Sequence, residues 1–340
     1  MKRFVYMFMA IGLFISGINV LFAEGEKESA TDKPESKSLS VGIIMWGYHD
    51  EGVWDTNAYE SLVKLSKKYP IKIGYSEETD MKEIESTLKA RAEMDDIVWA
   101  HSSGFEAAVK KIAPKYPDTI FIIEYALNRG KEYYPPNVIT IGQDPEEALF
   151  LIGALSAKMS KSKKLGVIQA MDDPLDTLYS VAYRDGAQYV DPSIKCLRVI
   201  LGAYLAPIRT RDTVKAFVEQ GADVVFISLD DLSGTLEAKA QGIFSCQHYK
   251  DVTDQAPDTI INNASWNFDS AIEMIIKALQ ENRFSEFRSK HWFIPLTLKG
   301  GTCGIGTYGN MVPSDVKTYI NGLSQKIMNG ELKVEQKLKW

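Results

Sequence analysis

The chain has 340 residues, 45% of them hydrophobic and 25% charged, which is a globular composition with room for two lobes rather than a disordered or fibrous one. Its formal charge is −6, and taking away Lys2 and Arg3 with the leader described below makes it −8, which argues against nucleic acid as a partner because a phosphate backbone calls for basic patches. Cys196, Cys246 and Cys303 are odd in number, far apart and without a C-x-x-C pair, so at most one disulfide is expected and no structural zinc site.

The chain opens with Lys2 and Arg3 ahead of an apolar run that ends at Leu21-Phe22-Ala23, the pattern of a secretory signal cleaved after Ala23. An uncleaved anchor helix is the competing reading, since about 20 apolar residues can span a bilayer, but a polar segment follows Ala23 at once. Residues 24–37 are charged and nearly free of apolar side chains, and so read as a disordered tether. Beyond it the pattern alternates. Leu39 to Trp46 reads as a strand; from Ala58 to Tyr69 a helix puts Tyr59, Leu62, Val63 and Ser66 on one face; Ile71 to Tyr75 is a strand again. Asp80 caps a helix carrying Met81, Ile84 and Leu88, and Ile97 to Ala100 is a short strand buried on both faces. Gly104 to Lys115 is helical, Thr119 to Glu124 and Val138 to Ile141 are strands, and Pro145 opens a helix that runs to Ser160. This order implies a parallel sheet with right-handed crossovers.

A second series starts at Leu165. It predicts helices over 175–190, 211–220 and 234–240 and strands over 165–168, 196–201, 223–228, 243–246 and 259–262. Helices over 269–280 and 314–329 close the chain, on either side of the glycine-rich stretch from Lys299 to Gly306. A single barrel would need all the units to share one sheet. The break near Asp144 and the fresh start at Lys164 favour two sheets side by side.

In open α/β sheets ligands gather beyond the carboxyl ends of the strands, where loop side chains and free helix amides point. The first such loop holds Asp50, Trp54 and Asp55. An aromatic ring beside carboxylates suits a flat, hydrogen-bonding ligand, whereas the alternative has Trp54 in the core and the aspartates capping a helix. Ser102, Ser103 and Gly104 occupy the equivalent place after the third strand, and Asp230, beside Asp231, ends a strand of the second series. Tyr179 and Tyr183 lie four apart on one helix, so one of them belongs to the core. Asp212 either binds or caps the helix it opens, and Trp266 stands at a lobe crossing.

The stretches Gly104-Phe105-Glu106, Ala113 to Asp118, Ala148 to Gly153, Tyr183 to Gly186 with Asp191-Pro192, Gln220 to Val225 and Lys326 to Gly330 carry, in this order and spacing, a family signature. Through them the chain, from about residue 40 to 335, resembles the basic-membrane-protein family of substrate-binding proteins, also called purine-nucleoside-receptor-like. The resemblance implies a type I periplasmic-binding-protein fold of two doubly wound parallel-sheet lobes joined by three crossovers. Lobe 1 is expected over 38–143 and 264–300, and lobe 2 over 144–263 and 301–340. It also implies a ligand delivered to an ABC importer permease, with purine nucleosides as the best-known cargo. By the same resemblance Trp54 and Tyr179 stack on the two faces of the base, with Asp50 and Asp55 nearby and Asp212 toward the sugar. Trp54-Asp55 stands where one branch of the family has Phe-Asn, and with Ala264 to Phe268 this points to another branch and leaves a free nucleobase open. Many members carry a lipid on a cysteine at the cleavage site. Here Ala23-Glu24 stands there, so a lipid anchor is not supported and a secreted, extracytoplasmic monomer is expected.

The sequence has no G-x-S-x-G elbow, no P-loop and no H-E-x-x-H, and His49, His101, His248 and His291 are scattered. Neither a catalytic set nor a cofactor or metal is expected. Asp50 and Asp55 form the one carboxylate pair that a glycoside hydrolase would need. A ligand-sensing domain for a signalling partner and a secreted nucleoside hydrolase are the alternatives to an importer's receptor.

Overall fold

The computed structural model describes residues 38–124 and 130–340; the leader 1–23 and the tether 24–37 lie outside the described residues. In the first sheet β1 (Leu39–Ile44) lies between β2 (Ile71–Ser76) and β3 (Ile97–Ala100). Beyond β3 come β4 (Ile120–Glu124), β5 (Val138–Ile141) and the two-residue β11 (Phe293–Ile294), giving the order β11-β5-β4-β3-β1-β2. In the second, β6 (Lys164–Gln169) lies between β7 (Lys195–Ile200) and β8 (Val224–Ser228), and β9 (Phe244–Gln247), β10 (Ile260–Trp266) and β12 (Cys303–Ile305) follow in the order β12-β10-β9-β8-β6-β7. The first five strands of each lobe therefore share one order, and the two sheets differ only in the direction of the edge strand, β11 or β12. Every pairing is parallel except β12 against β10. Strands β3, β4, β5 and β8 are buried at every residue, as continuous apolar runs must be when helices cover both faces.

Helices α1 (Trp54–Ser66), α2 (Ile84–Met94) and α3 (Glu106–Ile112) cover the first sheet. On the second lie α4 (Glu146–Met159), α5 (Pro174–Val190), α6 (Pro207–Glu219) and α7 (Ser233–Gln241). The chain passes between sheets three times, after β5, after β10 and after β11. The second passage brings α8 (Phe268–Gln280) back beside α1, followed by α9 (Phe284–His291), whose Arg288 donates to the carbonyls of Tyr134, Pro135 and Val138 at β5, and the third leads through β12 to α10 (Ser314–Met328). Nine successive residues of α4, Ala148 to Ser156, are buried, so this helix is enclosed all round rather than amphipathic. It can approach α5 only because Gly153 and Gly186 lack side chains: a Cβ on Gly153 would lie 1.8 Å from the Tyr183 carbonyl oxygen, and one on Gly186 1.9 Å from that of Phe150.

Several expected elements move. Helix α1 begins at Trp54 rather than Ala58, and its buried stripe is Asp55, Ala58, Ser61, Leu62 and Leu65, which turns Tyr59 outward against His49 and Tyr75. Helix α6 begins at Pro207, whose fixed φ suits a first turn, instead of at Arg211. The glycine-rich stretch contains β12, and α9 was not foreseen. All three cysteines are free. Among the described residues no helix is long and apolar enough to cross a membrane.

Candidate functional site

In both sheets the strand order reverses beside the first strand of the lobe, between β1 and β3 and between β6 and β8. Connections on either side of such a point diverge and leave a crevice at the carboxyl edge. A cavity of about 560 Å³ lies there. The segment after β1 supplies Trp46, Gly47 and Glu51, the first turn of α1 supplies Trp54 and Asp55, and the turn after β3 supplies Ser102, Ser103 and Gly104. The second lobe contributes Leu175 and Tyr179 from α5, Tyr204 after β7, Asp230 after β8 and Tyr249 after β9, and Gln143 comes from the first crossing.

The first-lobe wall is built around a buried ion pair. His101, fully buried just after β3, places Nδ1 2.7 Å from Glu124 Oε1 and Nε2 3.7 Å from Asp55 Oδ1. Burial alone would drive this imidazole toward its neutral form; Glu124, helped by Asp55, outweighs it and raises the pKa. Glu124 also accepts the Trp99 indole N–H at 2.5 Å and the Gln143 amide at 3.5 Å. Asp55 accepts the Gly47 N–H at 2.8 Å through Oδ2, while Oδ1 receives no hydrogen bond. Burial raises its pKa in spite of His101. Glu51 leaves much of its side chain in solvent but folds its carboxylate back, where Oε1 accepts the Asp55 N–H at 2.7 Å, and burial of that carboxylate beside Asp55 pushes its pKa up to about 7.

The second-lobe wall holds acids that, among the described residues, are paired with no cation. Asp176 is fully buried, accepts the Met171 N–H at 2.6 Å and has a pKa pushed up to about 7 by burial and by Asp173. Asp230 Oδ1 has no donor, and burial, followed by the charges of Glu51, Asp55, Asp176 and Asp231, raises its pKa well above the usual carboxylate range.

The aromatic rings divide by exposure. Trp46, 40% exposed, lays one face on Phe105 at 4.9 Å, and Tyr204 is 38% exposed. Trp54 is packed instead, stacked on His101 at 4.3 Å and in contact with Tyr249 at 4.6 Å and Phe268 at 5.7 Å. Tyr179 is buried, donates its hydroxyl to the Gln143 carbonyl at 2.7 Å and also meets Tyr249. Tyr249, not an open slot, adjoins both rings of the expected sandwich. Tyr183, the alternative to Tyr179, is core and stacks on Phe226.

Of the residues singled out in the sequence, Trp54, Asp55, Ser102, Ser103, Gly104, Tyr179 and Asp230 line the cavity. Asp50, Asp212 and Trp266 do not. Asp50 is exposed in the turn after β1, at the outer end of a loop whose inner residues face the cleft. Asp212 lies inside α6 because that helix starts at Pro207; its side chain is 68% exposed beside Lys215. Trp266, 1% exposed, packs behind Tyr179, His248 and Tyr249. Sequence reasoning missed Trp46, Gly47, Glu51, Gln143, Leu175, Tyr204 and Tyr249. The strand-end rule that selected Trp54 applies to most of them too, once the strands are ended where the structure ends them.

Two lobes of like strand order, joined by three crossings and walling one cleft from their strand ends, make the type I periplasmic-binding-protein fold. The chain belongs to the Bmp family, described as ABC transporter substrate-binding protein PnrA-like, whose model matches residues 38–337. Basic membrane protein A2 of Borrelia garinii subsp. bavariensis is 23% identical over 309 residues, 88% of this chain and 88% of that protein. A purine-binding protein of Brucella abortus is 24% identical over 236 residues, 69% of this chain and 64% of its own length. In fold, the chain matches an ABC transporter solute-binding protein from Conexibacter woesei with a TM-score of 0.76 at 18% identity, covering 88% of this chain and 99% of that one.

Proposed function

We propose that this protein is the extracytoplasmic receptor of an ABC importer, that it binds a purine nucleoside or nucleobase between its lobes, and that it hands the ligand to a membrane permease. The observation that carries the reading is the cavity itself: about 560 Å³, with aromatic rings from both lobes and polar groups from three loops, suits one flat heterocycle. The purine-binding relative supports the same cargo. Trp46 and Tyr204 are the rings free enough to stack on the base. Trp54 and Tyr179 form the floor, and Asp55, Asp230, Ser102, Ser103 and Gly104 supply the polar contacts. The lobes close about the crossings near residues 142–144, 263–266 and 299–301, and a ligand touching both lobes favours the closed form. The apolar leader and the lack of a cysteine near it support export without a lipid.

Calorimetric titration with adenosine, inosine, guanosine and their free bases tests the reading. At least one should bind, and Trp46→Ala should weaken it by roughly 1–3 kcal/mol through lost stacking. If none of the six binds, the purine assignment is wrong.

A further inference from the structure

The polar lining of the cleft is one-sided. Among the described residues no lysine, arginine or histidine lines it, whereas carboxylates enter from both lobes, Glu51 and Asp55 from the first and Asp230 from the second. Buried acceptors there lack donors: Asp55 Oδ1, Asp230 Oδ1 and Gln143 Oε1 receive no hydrogen bond. The orientation of Gln143 follows from its neighbour, since the Glu124 carboxylate can only accept and so takes the amide nitrogen, leaving the oxygen to the other side. Gln143 is 4% exposed and Asp55 1% exposed, so both present these acceptors to the cleft rather than to bulk solvent. A buried acceptor left unpaired is expensive, and of these acids only Asp55 has a cation behind it, His101 Nε2 at 3.7 Å, while Asp230 has none among the described residues.

Other hollows are not in deficit. Those of about 590 and 720 Å³ contain Lys250, which is 2.8 Å from Glu60; the first of them also contains the Lys64–Asp269 pair. The cleft differs in another way as well: its acids are accompanied by Trp46, Trp54, Tyr179, Tyr204 and Tyr249. Ring faces attract cations, most of all where water is excluded. Among the described residues no group of acids, histidines and cysteines is arranged to hold a metal ion, so the fitting charge is an organic one.

We propose that the cleft selects a nitrogen heterocycle bearing a delocalised positive charge over its neutral counterpart, the charge lying between the aromatic rings and the carboxylates of Asp55 and Asp230. The purine probe below rests on the function proposed above, but the charge argument does not. Asp55 Oδ1 and Asp230 Oδ1 stand without donors, burial and then the facing acids raise the pKa of Glu51 and Asp230, and a cation between the lobes offsets a cost that a neutral ligand would only deepen by further desolvation.

The test uses two isomers of equal mass, 1-methyladenosine, a cation at neutral pH, and N6-methyladenosine, which is neutral. Calorimetry on the unmutated protein should find the cation bound roughly 10-fold tighter or more. Asp230→Asn, close in shape and relieved of an uncompensated charge, should shrink that preference. A preference set by where the methyl group fits would survive the substitution and would overturn the proposal, as would equal or tighter binding of N6-methyladenosine. A second pair separates this failure from that of the purine reading. If no purine binds, 1-methylnicotinamide bound in preference to nicotinamide upholds the charge selection while the purine assignment falls, and binding of neither overturns both.

Discussion

The two walls of the cleft use acids in opposite ways. On the first lobe Asp55 and Glu124 share the His101 imidazole, and their remaining oxygens take backbone, indole and amide donors, leaving Asp55 Oδ1 alone without a hydrogen bond. On the second lobe Asp176, Asp230 and Asp231 each have a buried oxygen with no donor, and among the described residues no cation is paired with them. One strand order thus produces a wall finished around a buried imidazole, with Asp55 Oδ1 left open to the cleft, and a wall left unfinished, with no cation among the described residues. The charges of Glu51 and Asp55 on the first wall face Asp230 on the second and help raise its pKa.

Breaking the finished wall should have the largest effect. His101→Ala leaves Glu124 buried without its partner and Trp54 without its stacking neighbour, and should lower unfolding free energy by about 3–5 kcal/mol in urea denaturation. A loss below about 1 kcal/mol would mean that the imidazole is not the charge holding this wall together.

The unfinished wall should respond with the other sign. Burial raises Asp144 to about 7 and, with Asp144 beside it, Glu146 to about 8; Asp176 reaches about 7 and Asp230 is raised well above the usual range. Folding thus takes up protons on these groups, so their stabilising contribution is complete at low pH and is lost as pH rises through the folded-state values. His101, also raised, changes in the same direction. His248, whose pKa burial lowers, runs opposite, but only below the ordinary imidazole range. Ligand-free protein should therefore melt at a lower temperature at pH 8.5 than at pH 6.5, and Asp230→Asn should melt higher than the unmutated protein and show a shallower pH dependence. A melting temperature that rises with pH over this interval would show that the second-lobe acids are not strained.

Legibility in the sequence followed the same divide. Alternating apolar runs and helical periods gave two parallel sheets, because double burial makes each strand a continuous apolar word. The switch-point rule located the loops holding Trp54, Ser102 and Asp230. What it did not resolve were element ends. Reading β1 through to Trp46 hid that ring inside a strand, although the strand stops at Ile44. Starting α6 at Arg211 made Asp212 an end residue and left Tyr204 well short of the helix. Tyr249 was passed over because β9 was ended at Cys246, one residue early. Partnership was illegible too: His101 looked like a loop histidine, and only tertiary packing brings Glu124 and Asp55 to it across 23 and 46 positions of sequence.

The most direct measurement is a crystal structure of the protein grown with the tightest-binding purine from the calorimetric series. The account requires planar density in the cleft, in contact with Trp46 on the first lobe and with Tyr204 or Asp230 on the second. Density seated elsewhere, as in the hollow beside Lys250 and Asp251, or touching one lobe alone, would contradict it.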